Sequence, residues 1–345
     1  MEGKKMSKSF GNIIPIRDGV ETYSADGLRL AILATSGLLQ DADFSPTLAR
    51  SIRERLERLY TQSLELLAET PEHAAAEHGL WEKWLLSRLQ AVIKGATDAL
   101  ESLRVRDAVQ HVFYNLDQDI QWYMKQATAA KTLQEKLLAQ RVLRHVFKTR
   151  LQLLAPFTPF ICEELWSMFG EKGFISQSRW PQHDPALVNP EVEESVTLLK
   201  ALIEDTQNII KATGITPATI RFYTCAEWKR KVYRMALELA AGNRLDQGSL
   251  MKTATADPEI RSRGKDAARF IQTLYKNVST MPSDLQQRHL TLTIDEYTTV
   301  KTAASLLQTE FKAQVEVYRE EDERRVDPKN RASLAAPYRP AIHIE

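Results

Sequence analysis

The sequence predicts a mainly α-helical protein, an antiparallel helical bundle followed by a small α/β domain at the C-terminus. Glycine supplies only 13 of 345 residues, about 4% against the ~7% typical of proteins, which disfavours folds with many tight turns. Apolar residues recur at helical spacing through residues 45–170, as in amphipathic helices. After Pro217, short runs rich in β-branched and aromatic residues alternate with helical segments, which indicates a separate α/β domain.

The chain begins with a predicted loop. Residues 1–12 are polar and contain two glycines, a composition typical of loops. A helix is predicted over residues 26–36, ended by Gly37. Ser45-Pro46 then predicts the start of a long helix, because a hydroxyl cap is followed by proline at the first helical position.

Further long helices form the predicted bundle, over residues 80–102, 105–127 and 131–154, with a shorter one after Thr158-Pro159. The linkers between the long helices are only a few residues, which makes consecutive helices antiparallel neighbours. Beyond Glu171 glycine, serine and proline are frequent and helical periodicity is lost. This segment is predicted to be a surface connection.

The C-terminal part mixes both kinds of element. Helices are predicted over residues 191–213 and 226–241, and strands over 219–223, 314–318 and 341–344. The whole pattern predicts three regions: the loop and its continuation (1–44), the helical bundle (45–186), and a linker helix with the α/β domain (187–345).

Overall charge limits the class of protein. Lysine and arginine number 46 against 45 aspartates and glutamates, a formal net charge of +1. A uniform basic field over the whole surface is therefore excluded, although a local basic patch is not.

Cysteine and hydropathy patterns point to a cytoplasmic protein with no membrane partner. Cys162 and Cys225 have no CxxC or histidine partner spacing, so neither a disulfide framework nor a metal site is predicted. No apolar run approaches the ~18 residues of a membrane span, and the N-terminus lacks the apolar stretch of a signal peptide.

The segment with the clearest chemistry is Lys5-Met6-Ser7-Lys8-Ser9. Ammonium groups and hydroxyls on one flexible loop are the donors that a developing pyrophosphate leaving group needs. From composition alone, an ordinary solvated N-terminal tail explains the same residues.

The order of these residues resembles the KMSKS signature of class I aminoacyl-tRNA synthetases, letter for letter. Two further segments resemble elements of that family: Tyr23-Ser24-Ala25-Asp26-Gly27-Leu28-Arg29 is similar to YGADxLR, and residues 155–166 are similar to APFxPHxxEELW of the anticodon-binding helical domain. Phe160 departs from the second pattern, which often has histidine there. Residues 38–44 and the mixed α/β tail look most like the C-terminal portion of the archaeal and eukaryotic type of leucyl-tRNA synthetases.

The resemblance implies a reaction and a role for the loop. Leucine would be joined to its tRNA through a leucyl-adenylate made from ATP, with Mg²⁺ accompanying the ATP. Lys8 would contact the ATP phosphates as the catalytic residue, and Lys5, Ser7 and Ser9 would complete the nucleotide-binding loop.

The family's other signature, HIGH, does not occur in this sequence, and neither does a glycine-rich strand-to-helix turn. The resemblance therefore implies a further partner, an N-terminal catalytic and editing segment, and an isolated chain that is inactive.

Two basic clusters are candidate contacts with nucleic acid. Arg141, Arg144 and Lys148 fall on one stripe of a predicted helix, and Lys229, Arg230 and Lys231 begin another. Such cations could follow the phosphates of a tRNA stem; a solvated helix face explains the stripe equally well, and Trp228 fits core packing better than base stacking. The resemblance implies that the partner is leucine tRNA, with the C-terminal domain near its long variable arm.

Three functions stay open at this point: part of a synthetase, a stand-alone tRNA- or RNA-binding module without catalysis, and a helical scaffold that binds no nucleic acid. The intact lysine–serine loop disfavours the second, and the basic stripe disfavours the third.

Overall fold

A computed structural model describes residues 3, 6, 7, 9, 11–37, 42–68, 77–127 and 132–345. The chain forms two compact units, Met1–Asn189 and Pro190–Glu345. The first is helical and the second combines helices with a three-stranded sheet. The predicted fold class, mainly α with a helical bundle and a small α/β domain, is confirmed, while the predicted division into three regions stays a prediction.

The N-terminal unit contains helices α1 to α8, whose bounds are α1 Ile16–Tyr23, α2 Ala25–Leu33, α3 Pro46–Ala68, α4 Leu80–Glu101, α5 Val105–Val109, α6 Leu116–Ala127, α7 Leu133–Leu154 and α8 Pro159–Met168. A π-helical stretch, Gln110–Asn115, joins α5 to α6 into one continuous helix. The predicted long helices therefore occur close to their expected bounds. Helix α1 was not predicted, and α2 ends earlier than expected.

The π-helical stretch packs against α4 at a glycine. A methyl group added at Gly95 would lie 2.7–2.9 Å from three ring atoms of His111. The missing side chain at Gly95 therefore makes room for the imidazole, which explains a glycine inside a long helix despite its poor helix propensity.

The core of the N-terminal unit lies where α4, α6 and α7 meet. Large side chains from these helices and from the π-helical stretch are almost wholly buried, among them Trp84, Leu89, Phe113, Tyr123 and Phe147. Helices α3 and α8 pack against α7.

The C-terminal unit consists of α9 Pro190–Thr213, β1 Thr219–Thr224, α10 Glu227–Ala241, α11 Gln247–Thr255, α12 Pro258–Ser262, α13 Gly264–Ser279, α14 Ser283–Thr291, α15 Glu296–Thr302, α16 Ala304–Phe311, β2 Gln314–Arg319 and β3 Ala341–Ile344. The strand order is β2-β1-β3. Strand β1 runs parallel to β2, pairing Thr219 with Gln314, and antiparallel to β3, pairing Ile220 with Ile344.

A buried polar cluster joins three helices of this unit. His289 on α14 lies between Glu194 on α9, at 3.0 Å from Nε2 to Oε1, and the hydroxyl of Tyr233 on α10, at 2.6 Å from Nδ1. The imidazole stacks on the Tyr338 ring at 3.7 Å between centroids. The hydrogen bond from His289 lowers the pKa of Glu194, even though burial opposes that shift.

Candidate functional site

The described residues of the loop hold one another through their polar groups. The backbone N–H of Ser7 donates to Asn12 Oδ1 at 2.9 Å. The Ser7 and Ser9 hydroxyls are 2.5 Å apart, and Ser9 N–H donates to Ser7 Oγ at 3.2 Å. The structure thus brings together the two predicted serines, whereas Lys5 and Lys8 lie outside the described residues.

The start of the loop is tied to the segment that precedes α3. The N–H of Gly3 donates to both carboxylate oxygens of Asp43, at 3.1 and 3.0 Å. The next residue, Phe44, packs edge-on against Tyr23 at the end of α1, with 5.6 Å between ring centroids. The start of the loop is therefore held next to the beginning of α3, and the residue that follows Asp43 is held against the end of α1.

After the loop, the chain packs closely onto α2. A methyl group added at Gly19 of α1 would lie 3.3 Å from Leu28 Cδ2 and 3.5 Å from Ile14 Cγ2. Contacts this short show that α1 lies directly on α2, with Ile14 from the end of the loop in the same contact.

Helix α2 is in turn fixed to α8 by the carboxylate of Asp26. Its two oxygens accept the N–H groups of Phe160, at 3.3 Å, and Ile161, at 2.7 Å. These N–H groups belong to the first turn of α8, where backbone donors lack intrahelical partners. Asp26 is only 4% exposed, and its burial raises the pKa of the carboxyl, against the opposing effect of the two backbone donors.

Two arginines add to this connection. Arg29 Nε donates to the carbonyl of Phe157 at 3.4 Å, and Arg53 Nη1 on α3 donates to the carbonyl of Thr22 at 2.6 Å. The two segments that resemble YGADxLR and APFxPHxxEELW are thus in direct contact. The sequence carried a signal for these segments, but no pattern in it predicted that they meet.

On α7 the three predicted cations occupy different environments. Arg141 is exposed. Arg144 Nη2 donates to the carbonyl of Leu66, in the last turn of α3, at 2.6 Å, and Lys148 pairs with Glu171. Arg144 therefore also stabilises the C-terminal end of α3, and a phosphate at Lys148 would compete with Glu171.

In the C-terminal unit the structure corrects the prediction for Lys229. Its side chain is only 4% exposed, and Nζ lies 2.8 Å from the carbonyl oxygens of Ser333 and Ala335 and 2.9 Å from Glu320 Oε1. An ammonium group has three protons, all used here, so the position of Lys229 does not fit a contact with nucleic acid. The periodicity of α10 alone could not reveal these acceptors, because they lie about 90 residues or more further along the chain.

The neighbours of Lys229 differ in accessibility. Trp228 is 3% exposed in the core, as expected. Arg230 is partly buried, and its pKa is raised by Glu296 and Cys225 against the effect of burial. Lys231 is exposed and pairs with Glu259 at 2.7 Å. Of the three predicted cations, Lys231 is therefore the most accessible.

Removing the Lys229 ammonium is expected to destabilise the C-terminal unit. Lys229→Met keeps most of the apolar stem but leaves the carbonyls of Ser333 and Ala335 and the Glu320 carboxylate without their donor. We expect the free energy of unfolding to fall by roughly 1.5–3 kcal/mol, as for a lost hydrogen bond to a charged group. Urea unfolding measures this; Lys231→Met, at the exposed neighbour, should stay within about 0.5 kcal/mol. Equal losses in both variants would contradict a structural role particular to Lys229.

Within the described ranges, no three histidine, cysteine, aspartate or glutamate side chains are grouped as metal ligands. Cys162 and Cys225 are buried free thiols, and burial raises the pKa of each to about 12. In the same part of the chain, no helix has the length and apolar character needed to cross a membrane.

Two family models match the chain. The anticodon-binding domain of tRNA ligases matches residues 82–220, which contain most of α4, all of α5 to α9 and the start of β1. The class I tRNA synthetases for isoleucine, leucine, methionine and valine match residues 1–45, which contain the loop, α1 and α2.

Curated relatives match the chain over its whole length. The leucine–tRNA ligase of Methanothrix thermoacetophila is 38% identical over 345 residues, all of this chain and 34% of the relative. The enzyme of Methanococcoides burtonii is 33% identical, and the match covers all of this chain and 35% of the relative. The enzyme of Pyrococcus abyssi is 35% identical, and the match covers all of this chain and 33% of the relative. The chain thus spans about a third of the length of these relatives.

A solved LeuRS–tRNA–LeuAMS complex from Agrobacterium radiobacter K84 matches 76% of this chain and 29% of that chain, with 19% identity and a TM-score of 0.44. The family models and the curated relatives agree with the resemblance of the loop and the bundle. The chain is therefore similar to the class I tRNA synthetases over residues 1–45 and to the anticodon-binding domain of tRNA ligases over residues 82–220, and it matches the C-terminal part of the archaeal leucine–tRNA ligases.

Proposed function

We propose that this chain is the tRNA-binding part of a leucine–tRNA ligase and that it supplies the ATP loop to the catalytic site. One observation carries the proposal: a loop with the sequence KMSKS is attached, through α1 and α2, to a bundle that matches the anticodon-binding domain of tRNA ligases. A loop for ATP attached to a tRNA-binding bundle suits an enzyme that joins an amino acid to tRNA.

In this proposal Lys8 binds the ATP phosphates and stabilises the charge that develops on pyrophosphate as leucyl-adenylate forms. Lys5, Ser7 and Ser9 complete the loop. The hydrogen bonds between Ser7 and Ser9 hold this part of the turn in a defined shape, which lowers the entropy cost of ordering it around ATP. Magnesium would arrive with the ATP phosphates.

The remaining parts of the reaction belong to a partner segment. The curated relatives are about three times as long as this chain, and the HIGH signature does not occur within it. We therefore assign the nucleotide fold, the leucine pocket and any editing to an N-terminal segment, in the same polypeptide or in a second subunit. We propose that the chain has three regions, residues 1–44, 45–186 and 187–345. We also propose that it acts in the cytoplasm, where tRNA is charged.

The test is leucine-dependent exchange of pyrophosphate into ATP, followed by leucylation of leucine tRNA. The chain combined with its N-terminal segment should catalyse both, and the chain alone neither. Exchange by the isolated chain, or no exchange by the combination, would contradict the proposal. A stand-alone RNA-binding module would still bind leucine tRNA but would not exchange pyrophosphate in either state.

We propose that leucine tRNA contacts the bundle through Arg141 and Lys148, with Arg144 as a structural neighbour, and the C-terminal unit through Lys231 and the partly buried Arg230. Arg141 is exposed, and Lys148 lies seven residues, about two turns, further along the same helix. Cations at this spacing can neutralise successive phosphates, which provides affinity without base specificity.

The double variant Arg141→Ala/Lys148→Ala is expected to reduce the salt dependence of tRNA binding. Each phosphate contact contributes about 0.7–0.9 to the slope of log K against log salt concentration, so the slope should fall by roughly 1.4–1.8. Fluorescence anisotropy with labelled leucine tRNA over a salt series measures it. Lys94→Ala is the control, because this exposed lysine pairs with Asp98 on α4, outside the proposed interface. An unchanged slope in the double variant would exclude these residues as phosphate contacts.

A further inference from the structure

The contact between α2 and α8 has a geometry that can set the position of the loop. Asp26 is the second residue of α2, and its buried carboxylate accepts both N–H groups at the start of α8. Helix α8 packs against α3 and α7 of the bundle. The Asp26 side chain, beside the bonds of Arg29 to the carbonyls of Pro156 and Phe157, therefore joins α2 to the domain that matches the anticodon-binding model.

Ser24 forms the turn between α1 and α2, next to Asp26. Ser24 has φ 62° and ψ 161°, a backbone conformation that non-glycine residues rarely adopt. The turn is held by the Ser24 hydroxyl, which accepts the N–H of Gly27 at 3.1 Å, and by Arg53, which binds the carbonyl of Thr22. The direction in which α1 leaves α2 is thus set next to Asp26.

The length of α1 amplifies small changes at this turn. Helix α1 has 8 residues, about 12 Å at 1.5 Å per residue. A rotation of roughly 10° about Ser24 would therefore move the loop end of α1 by about 2 Å. A misplacement of only 1 Å can lower a catalysed rate by about 10²-fold, so the Asp26 contact is well placed to affect the reaction.

We infer that Asp26 is a positioning residue for the ATP loop: by capping α8 it sets the orientation of α2 and α1 relative to the bundle, and so the place of the loop over ATP. This inference rests on the proposed function, since it assumes that the loop binds ATP. It adds a residue that lies outside the KMSKS string and does not touch the nucleotide.

Asp26→Asn tests the inference with a minimal change in size. An asparagine amide offers one oxygen acceptor, and its NH₂ group would face an N–H of α8 instead of accepting from it. One of the two bonds is therefore replaced by a repulsive contact, while Arg29 and Arg53 remain in place.

The experiment uses the chain combined with its N-terminal segment. We expect Asp26→Asn to lower kcat of leucine-dependent pyrophosphate exchange by at least about 10-fold and to raise KM for ATP, with KM for leucine and Kd for leucine tRNA within about twofold of the wild-type values. A general loss of stability would not separate ATP from leucine in this way.

Asp119→Asn is the matched control. Asp119 is a buried carboxylate of the same unit and pairs with Arg88 at 3.0 Å, between α6 and α4. The Asp119→Asn variant should lose about as much stability in urea unfolding as Asp26→Asn, but its exchange rate should stay within about threefold of the wild-type rate. Equal rate losses in the two variants, or a wild-type rate in Asp26→Asn, would overturn the inference.

Other outcomes remain distinguishable. If the wild-type combination does not exchange pyrophosphate, the proposed function fails, and the inference fails with it. If Asp26→Asn does not fold, Arg29→Ala replaces it, because the exposed Arg29 side chain donates to the carbonyls of Pro156 and Phe157. Arg29→Ala should show a smaller change in the same direction, a raised KM for ATP with an unchanged KM for leucine. A wild-type KM for ATP in this variant would overturn the inference.

Discussion

Replacing Lys8 by alanine in the combined enzyme is expected to slow leucyl-adenylate formation by about 10²–10³-fold, the loss typical of removing one donor that stabilises transition-state charge. The reason is that negative charge moves onto the leaving pyrophosphate as the α-phosphate is attacked, and a compact ammonium group stabilises it there. Leucine-dependent pyrophosphate exchange at saturating ATP and leucine measures the effect on the chemical step.

Binding of tRNA should be unaffected by this substitution, because the bundle and the C-terminal unit retain their cations. Lys4→Ala is the control, since it removes the same charge from the same segment outside the KMSKS string. We expect Lys4→Ala to stay within about threefold of the wild-type rate, because the proposed contact with ATP belongs to the KMSKS string and not to Lys4. Exchange kinetics for Lys8→Ala that equal those of Lys4→Ala would refute the catalytic role of Lys8.

Most elements that were predicted are those where a local pattern extends over enough residues. Strands β1, β2 and β3 occur where β-branched and aromatic runs predicted them, and α9 begins one residue before its predicted start. The long helices of the bundle have several turns of apolar periodicity, which is the most reliable signal in a single sequence.

Helix α13, 16 residues long, was missed although its buried residues Ala267, Ile271, Leu274 and Val278 recur at helical spacing. Three other helices were missed because they are short. Helices α11, α12 and α15 have 5 to 9 residues, too few turns for an apolar stripe to be recognised. Each begins with an aspartate whose side chain accepts a backbone N–H: Asp246, Asp257 and Asp295. These caps were visible in the sequence, but an aspartate also begins many turns, so the cap alone does not predict a helix.

The site was less predictable than the fold, because the role of a cation depends on what faces it. Lys229 and Lys231 are two residues apart and look alike in the sequence. One is enclosed by two carbonyls and Glu320, and the other reaches the surface beside Glu259. The Asp26 contact joins positions 134 and 135 residues apart, a separation at which periodicity carries no information.

A buried ion pair in the N-terminal unit shows the same limit. Arg150 on α7 is a cation like Arg141, Arg144 and Lys148, yet its side chain is 1% exposed and lies 3.0 Å from Asp117 Oδ1. Asp117 Oδ2 is 3.1 Å from Arg55 on α3. One carboxylate of α6 thus joins α3 and α7 in the interior of the bundle.

Asp117→Ala is therefore expected to be strongly destabilising. Burial lowers the pKa of Arg150, and Asp117 is the main group that opposes this shift. Within the described part of the chain, Nε and Nη1 of Arg150 are buried without a hydrogen-bond partner, so Asp117 provides most of the compensation for the charge. Removing one partner of a buried pair typically costs about 3–5 kcal/mol. We expect a loss of that size in urea unfolding of the chain.

The double variant Asp117→Ala/Arg150→Met separates the pair from the packing around it. Methionine fills part of the arginine volume without a charge, so the double variant should be more stable than Asp117→Ala alone. This positive coupling in a double-mutant cycle would identify the uncompensated guanidinium as the cause of the loss. A loss below about 1 kcal/mol for Asp117→Ala, or a double variant no more stable than the single one, would instead mean that water or Arg150 movement relieves the charge. The ion pair would then position α3, α6 and α7 without being required for their stability.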